Sequence, residues 1–246
     1  MVSRAKLSVD DIRHIYDNFT ASITRYDCGR RCAPLNGGEP VCCSTKNAVP
    51  VVHRPEWDLL RSRTDLWSKF KPYDDATRRI VREMSTACAA IECKGAGFCE
   101  RDNRTIACRA FPFYPYITGD KRFVGLGHYW NFEDRCWMIS HPELVTPEFV
   151  AGFVEAFEYV FSRDDDEFDV MARQSATARR RHSRMGIPFP VIGRDGGFFL
   201  VKPGDPTLHP ADIARFKPYP TYRSKRAYAE ACRHWGYEPP AEIDIF

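Results

Sequence analysis

Nine cysteines that could bind a metal stand close together in the 246-residue chain: Cys28, Cys32, Cys42, Cys43, Cys88, Cys93, Cys99 and Cys108, followed by Cys136. Most lie in loops punctuated by Gly, Pro, Asp and Arg, as in DCGRRCAPLNGGEPVCC (27–43) and CERDNRTIACRAFPFYP (99–115). Free thiols that merely pack behave as small hydrophobes and belong on apolar stripes, which these segments lack. Loops of this kind suit ligation: a short loop aims two sulfurs at one ion, and a distant segment completes the set. The tenth, Cys232, shares a helical face with Tyr228 and Trp235 and reads as core packing.

Disulfides would be the competing chemistry. The opening residues, MVSRAKLSVDDIRHIYDNF, hold no signal-like apolar run, and no segment approaches the ~18 apolar residues of a membrane span. The expectation is a cytoplasmic, non-membrane protein whose thiols stay reduced. Nine thiols can supply two four-thiolate centres with one to spare, or one cluster with the remainder structural or redox-active. The doubled C-x2-C of a zinc ribbon is absent, and Leu35 stands where a third cysteine would extend Cys28-x3-Cys32 into a radical-SAM pattern. The adjacent Cys42 and Cys43 and the surplus of thiols favour an iron–sulfur cluster, with zinc as the alternative.

Around the cysteines, Arg109 is the candidate cofactor-binding side chain, a donor to thiolate or cluster charge. His53, His128 and His141 are candidates to complete a mixed site. Phe111, Phe113, Tyr114 and Tyr116 would shield the site from water or belong to the core. The basic run Arg179, Arg180, Arg181, His182 and Arg184 reads as a solvated face, because a net charge of +3 from 36 basic and 33 acidic residues does not announce nucleic acid. No glycine-rich phosphate loop, Ser-His-Asp arrangement or HExxH is present, so no catalytic residue is assigned and enzymatic activity stays open.

The elements that must position these residues are mainly helical. Ser8 caps a helix with Ile12, Ile15, Tyr16 and Phe19 on one face. VPVVHR suggests a short strand, and PEWDLLRSRTDLWSKF and DDATRRIVREMSTACAA suggest two further helices. Residues 91 to 130 read as irregular. TPEFVAGFVEAFEYVFS is the strongest helix, continuing through an acidic run into a solvated helix or mobile connector. Two short strands around Asp195-Gly196 and a last helix in YRSKRAYAEACRHWGY, ended by Gly236, complete the chain. The expected fold is a mostly helical α+β protein. Its irregular, cysteine-rich metal-binding first half (1–141) packs with helices, and its helical C-terminal region (142–246), with a small β-hairpin, is free to share one core with it.

The segment C-x8-C-R-A-F-P-F from Cys99 to Phe113, preceded by C-x3-C and CC at Cys28 to Cys43 and followed by W-N-F-E-D-R-C ending at Cys136, resembles the YkgJ-type cysteine-cluster family. That family is described as a zinc- or iron-chelating domain, and relatives of the domain occur in flagellin lysine methylases. The resemblance covers roughly residues 25 to 140. It implies Cys28, Cys32, Cys42, Cys43, Cys99, Cys108 and Cys136 as ligands, with Cys88 or Cys93 as the one preceding Cys99, and extends to a redox or methylase-like role on a protein substrate. The alternatives are a zinc-stabilised module for a protein partner and a metal-handling protein.

Overall fold

The computed structural model describes residues 7–205, 207–216, 219 and 224–239. In chain order it contains α1 (Val9–Asn18), α2 (Cys28–Cys32), β1 (Val51–His53), α3 (Arg54–Arg63), β2 (Trp67–Lys69), α4 (Asp75–Glu83), β3 (Cys88–Cys93), α5 (Ile106–Ala110), β4 (Phe113–Ile117) and β5 (Phe123–His128). Then follow α6 (Trp137–Ser140), α7 (Pro147–Phe161), α8 (Asp165–Met185), β6 (Phe189–Gly193), β7 (Phe198–Val201), β8 (Leu208–Pro210) and α9 (Lys225–His234).

Helices α1 and α7 begin where the sequence chemistry predicts. The Ser8 hydroxyl accepts from the Asp11 amide while the Asp11 carboxylate accepts from the Ser8 amide, a capping box that satisfies two otherwise orphaned donors. Thr146 caps α7 by accepting from Phe149, with Pro147 in the first turn. Of the last helix, Tyr222 and Arg223 lie outside the described residues, and Gly236 takes the expected left-handed conformation beyond its end.

The expectation of a helix-dominated fold with one small hairpin is corrected by two antiparallel sheets. One has strand order β1-β3-β2 and the other β4-β5-β6-β7-β8. The Asp195-Gly196 hairpin joins β6 to β7 and forms only part of the five-stranded sheet. Strands β4 and β5 come from the stretch read as irregular. Every residue of FYPYI in β4 is buried, so the alternation that marks a half-buried strand is missing. Pro115 is tolerated because β4 is an edge strand, where a missing N–H need not break a ladder. In β5, Gly125 has φ of +145°, and any side chain there would run into the carbonyl of Ile192 on β6.

Nor is α8 a mobile connector. It lies along β4, burying Ala172, Ser175, Ala178 and His182, and covers the edge by accepting from Ile117 N through Ser175 Oγ (2.9 Å) and donating to Ile117 O from Arg179 (2.7 Å). A hydrophobic cluster unites Ile12 and Ile15 of α1, Leu60 of α3, Ile91 of β3, Phe149 and Phe153 of α7 and Ile192 of β6. Residues on both sides of position 142 therefore share one core. Among the described residues no helix is long and apolar enough to cross a membrane.

Candidate metal centre

The thiols are carried by elements too short to persist alone. Cys28 and Cys32 are the ends of α2, whose first turn is capped by the Asp27 carboxylate accepting from Arg30 N. Cys42 and Cys43 end the 3-10 turn Val41–Cys43. Cys93 ends β3, Cys99 follows the turn Ala96–Phe98, and Cys108 lies in α5, its amide donating to the Thr105 cap at 3.0 Å. Cys136 is the N-cap residue of α6, which packs on α2. The cysteine loop is held from outside by the C-terminal region: Tyr228 donates to the Arg31 carbonyl at 2.8 Å and Tyr237 to that of Gly38 at 2.9 Å.

A cavity of about 180 Å³ is lined by Cys42, Cys43, Cys93 and Cys108, with Trp67 and Glu92 among its other walls. The sulfurs of Cys42 and Cys43 are 3.8 Å apart. Among the described residues, no three cysteine sulfurs come within 4.8 Å of one another. Four thiolates on one zinc, each at about 2.3 Å, stand about 3.8 Å apart. The space exceeds what one ion needs by far, since about 10–15 Å³ already admits a water. The wall thiols are thus not drawn together as the four ligands of a single tetrahedral ion are.

Electrostatic coupling extends the set. Cys43 is near enough to influence Cys28, Cys32, Cys93 and Cys108, Cys99 influences Cys93, and Cys136 feels Cys32 and Cys28. Burial is the main cause that pushes the Cys28 thiol up to about 11 and those of Cys32 and Cys108 up to about 12. Cys136 is driven up for the same reason. Within the adjacent pair, the hydrogen bond shared with Cys43 holds Cys42 protonated. The S–H of Cys42, helped by Arg104, brings Cys43 down to about 7 against the opposing effect of burial. Cys43 thus ionises most readily, while burial keeps Cys28, Cys32, Cys108 and Cys136 protonated unless a cation offsets it.

Cys88 does not join this group. It opens β3, about 17 Å of strand from Cys93, and pairs with His53 across the sheet. Its charged neighbours are Glu167, Asp164, Arg54 and Glu56, and burial together with the nearby carboxylates pushes its thiol to about 11. Cys232 is fully buried beside Tyr228, as packing predicts.

Arg109 also sits apart from the sulfurs. Its guanidinium donates to the carbonyls of Arg104, Tyr16, Phe19 and Asp102 and lies 4.4 Å from the Tyr16 ring centre. The cation at the thiols is Arg104, whose Nε donates to Cys99 Sγ at 3.0 Å. Sequence reasoning passes over Arg104 because ERDNRTIA has no periodicity to say which residue points inward. It also passes over Trp67, read as a helical core position, which reaches the cavity from β2 with its Nε1 donating to Asn103 O.

Of the aromatics, Tyr114 and Tyr116 pack with Ala178 of α8, and Phe113 joins the main core, so none of these three shields the cavity. Phe111 packs on Phe132 at 4.9 Å. His53 faces Glu167 at 3.7 Å, His141 packs edge-on against Trp137, and neither lines the cavity. No family model, curated protein or solved structure matches the chain.

Proposed function

We propose that the chain carries an iron–sulfur cluster on Cys42, Cys43, Cys93 and Cys108, with Cys28, Cys32, Cys99 and Cys136 adjoining as ligands of a second thiolate centre. Its role is then electron transfer or a redox-linked, methylase-like modification of a protein partner in a reducing cytoplasm. The observation that carries the reading is the cavity of about 180 Å³ walled by four cysteines from three elements, no three of whose sulfurs lie within 4.8 Å of one another. The resemblance to the YkgJ-type family rests on the same residues and supports the same chemistry. When bound, such a cluster supplies one-electron chemistry. The protein's part is to hold the thiolates, keep water from them and bring Arg104 to Cys99.

Anaerobic expression and purification test the proposal: the protein is expected to show broad sulfur-to-iron absorption in the visible and matching amounts of iron and acid-labile sulfide. A colourless protein with stoichiometric zinc overturns it. That second reading, a zinc-stabilised interaction module, draws on the 3.8 Å between Cys42 and Cys43, the separation a zinc ion imposes on two of its sulfurs.

A further inference from the structure

A second cluster of ligand-type side chains lies where α8 ends against β5. His128 closes β5, Glu133 follows the turn Trp130–Phe132, and His182 lies in the last turn of α8. They are 4%, 8% and 2% exposed. The Glu133 Oε1 atom lies 2.8 Å from His128 Nε2, 3.1 Å from His182 Nε2 and 3.0 Å from the Tyr219 hydroxyl, which is itself 3.2 Å from His128 Nε2.

We infer that His128, Glu133 and His182 form a second metal site, for a divalent first-row transition ion bound by two imidazoles and one carboxylate. The three ligand atoms all lie within 4.8 Å of one another, the one such group among the described residues. Ligands bonded at about 2.1 Å stand about 3.0 Å apart at right angles and about 3.4 Å apart in a tetrahedron. The 2.8 and 3.1 Å separations lie nearer the first of these.

Hydrogen bonding alone accounts for the arrangement poorly. Two imidazole nitrogens and the Tyr219 hydroxyl crowd one carboxylate oxygen that has two lone pairs. A cation at the point where both Nε2 atoms and Oε1 converge uses all three lone pairs at once. The carboxyl end of α8 adds its partial negative charge. Two histidines and one carboxylate leave coordination positions open, as in non-haem iron and catalytic zinc sites.

Cobalt(II) titrated into the full chain tests this independently of the thiols, because thiolate-bound cobalt shows intense sulfur-to-metal charge transfer and nitrogen- or oxygen-bound cobalt does not. The expected result is one cobalt per chain beyond any taken up by the thiols, bound without adding that absorption and giving hyperfine-shifted, solvent-exchangeable ring N–H resonances from two histidines. Glu133→Gln and His182→Gln should each weaken its binding by roughly 100-fold or more. Absence of the shifted resonances in the unaltered chain overturns the site, whatever the variants do. So does unchanged affinity in variants whose circular dichroism matches the parent.

Discussion

Arg104 is the residue at which the thiol chemistry is most open to measurement. Its guanidinium touches Cys99 and helps bring Cys43 down to about 7, after the larger effect of the Cys42 hydrogen bond. In metal-free protein Arg104→Gln should raise the pH midpoint of Cys43 alkylation and slow it at neutral pH by roughly 3- to 10-fold. Mass spectrometry of iodoacetamide-treated protein reads this, and an unchanged midpoint would remove Arg104 from the site. At this scale the cysteines were legible because thiols beside Gly, Pro and charge have few structural uses. Arg104 was not, because an irregular loop gives two arginines five residues apart the same sequence appearance. Glu133 and His182 escaped for another reason: only the packing of α8 across β4 and β5 brings residues so distant in sequence together.

Among elements, α3 and α5 meet through a single buried carboxylate. Glu56 Oε1 accepts from Tyr16 OH at 2.9 Å and from Ile106 N at 2.7 Å, joining α1, α3 and the start of α5, on which Cys108 sits. Burial pushes Glu56 up to about 7, against those two hydrogen bonds. Between its ordinary value near 4.5 and about 7 the folded protein holds a proton that the unfolded chain has lost. Stability from this group is complete below that window and falls as pH rises through it, by up to about 3 kcal/mol. Glu56→Gln keeps an acceptor without the charge. Its urea midpoint should therefore change less between pH 5 and pH 8 than that of the parent, and identical pH profiles would refute the assignment. Helices such as α1 and α7 were readable because one buried face repeats every turn. β4 was not, since burial of both its faces removes the alternation and Pro115 argues against a strand until its edge position is known.

At the scale of the whole molecule, one core runs from α1 to β6, with Phe19 of the segment before the cysteine loop packed on Phe149 and Phe153 of α7 at 5.4 and 6.1 Å. The cysteine-rich region and the C-terminal helices should then melt together. Chelation should lower the midpoint of a single transition, with far-ultraviolet circular dichroism and tryptophan fluorescence coincident. Two separated transitions, the later helices surviving the first, would instead support independent halves. The distribution of the thiols along the chain also sets a timetable for synthesis. Cys42 and Cys43 are made long before Cys93 and Cys108 can face them, and β6, whose Ile192 completes the core, follows about 80 residues after Cys108. At about 5–20 residues per second, the core around the cavity's four thiols is incomplete for roughly 4 to 17 s after the last of them is made. On the proposed reading, a cluster can be delivered to all four thiols only after that interval.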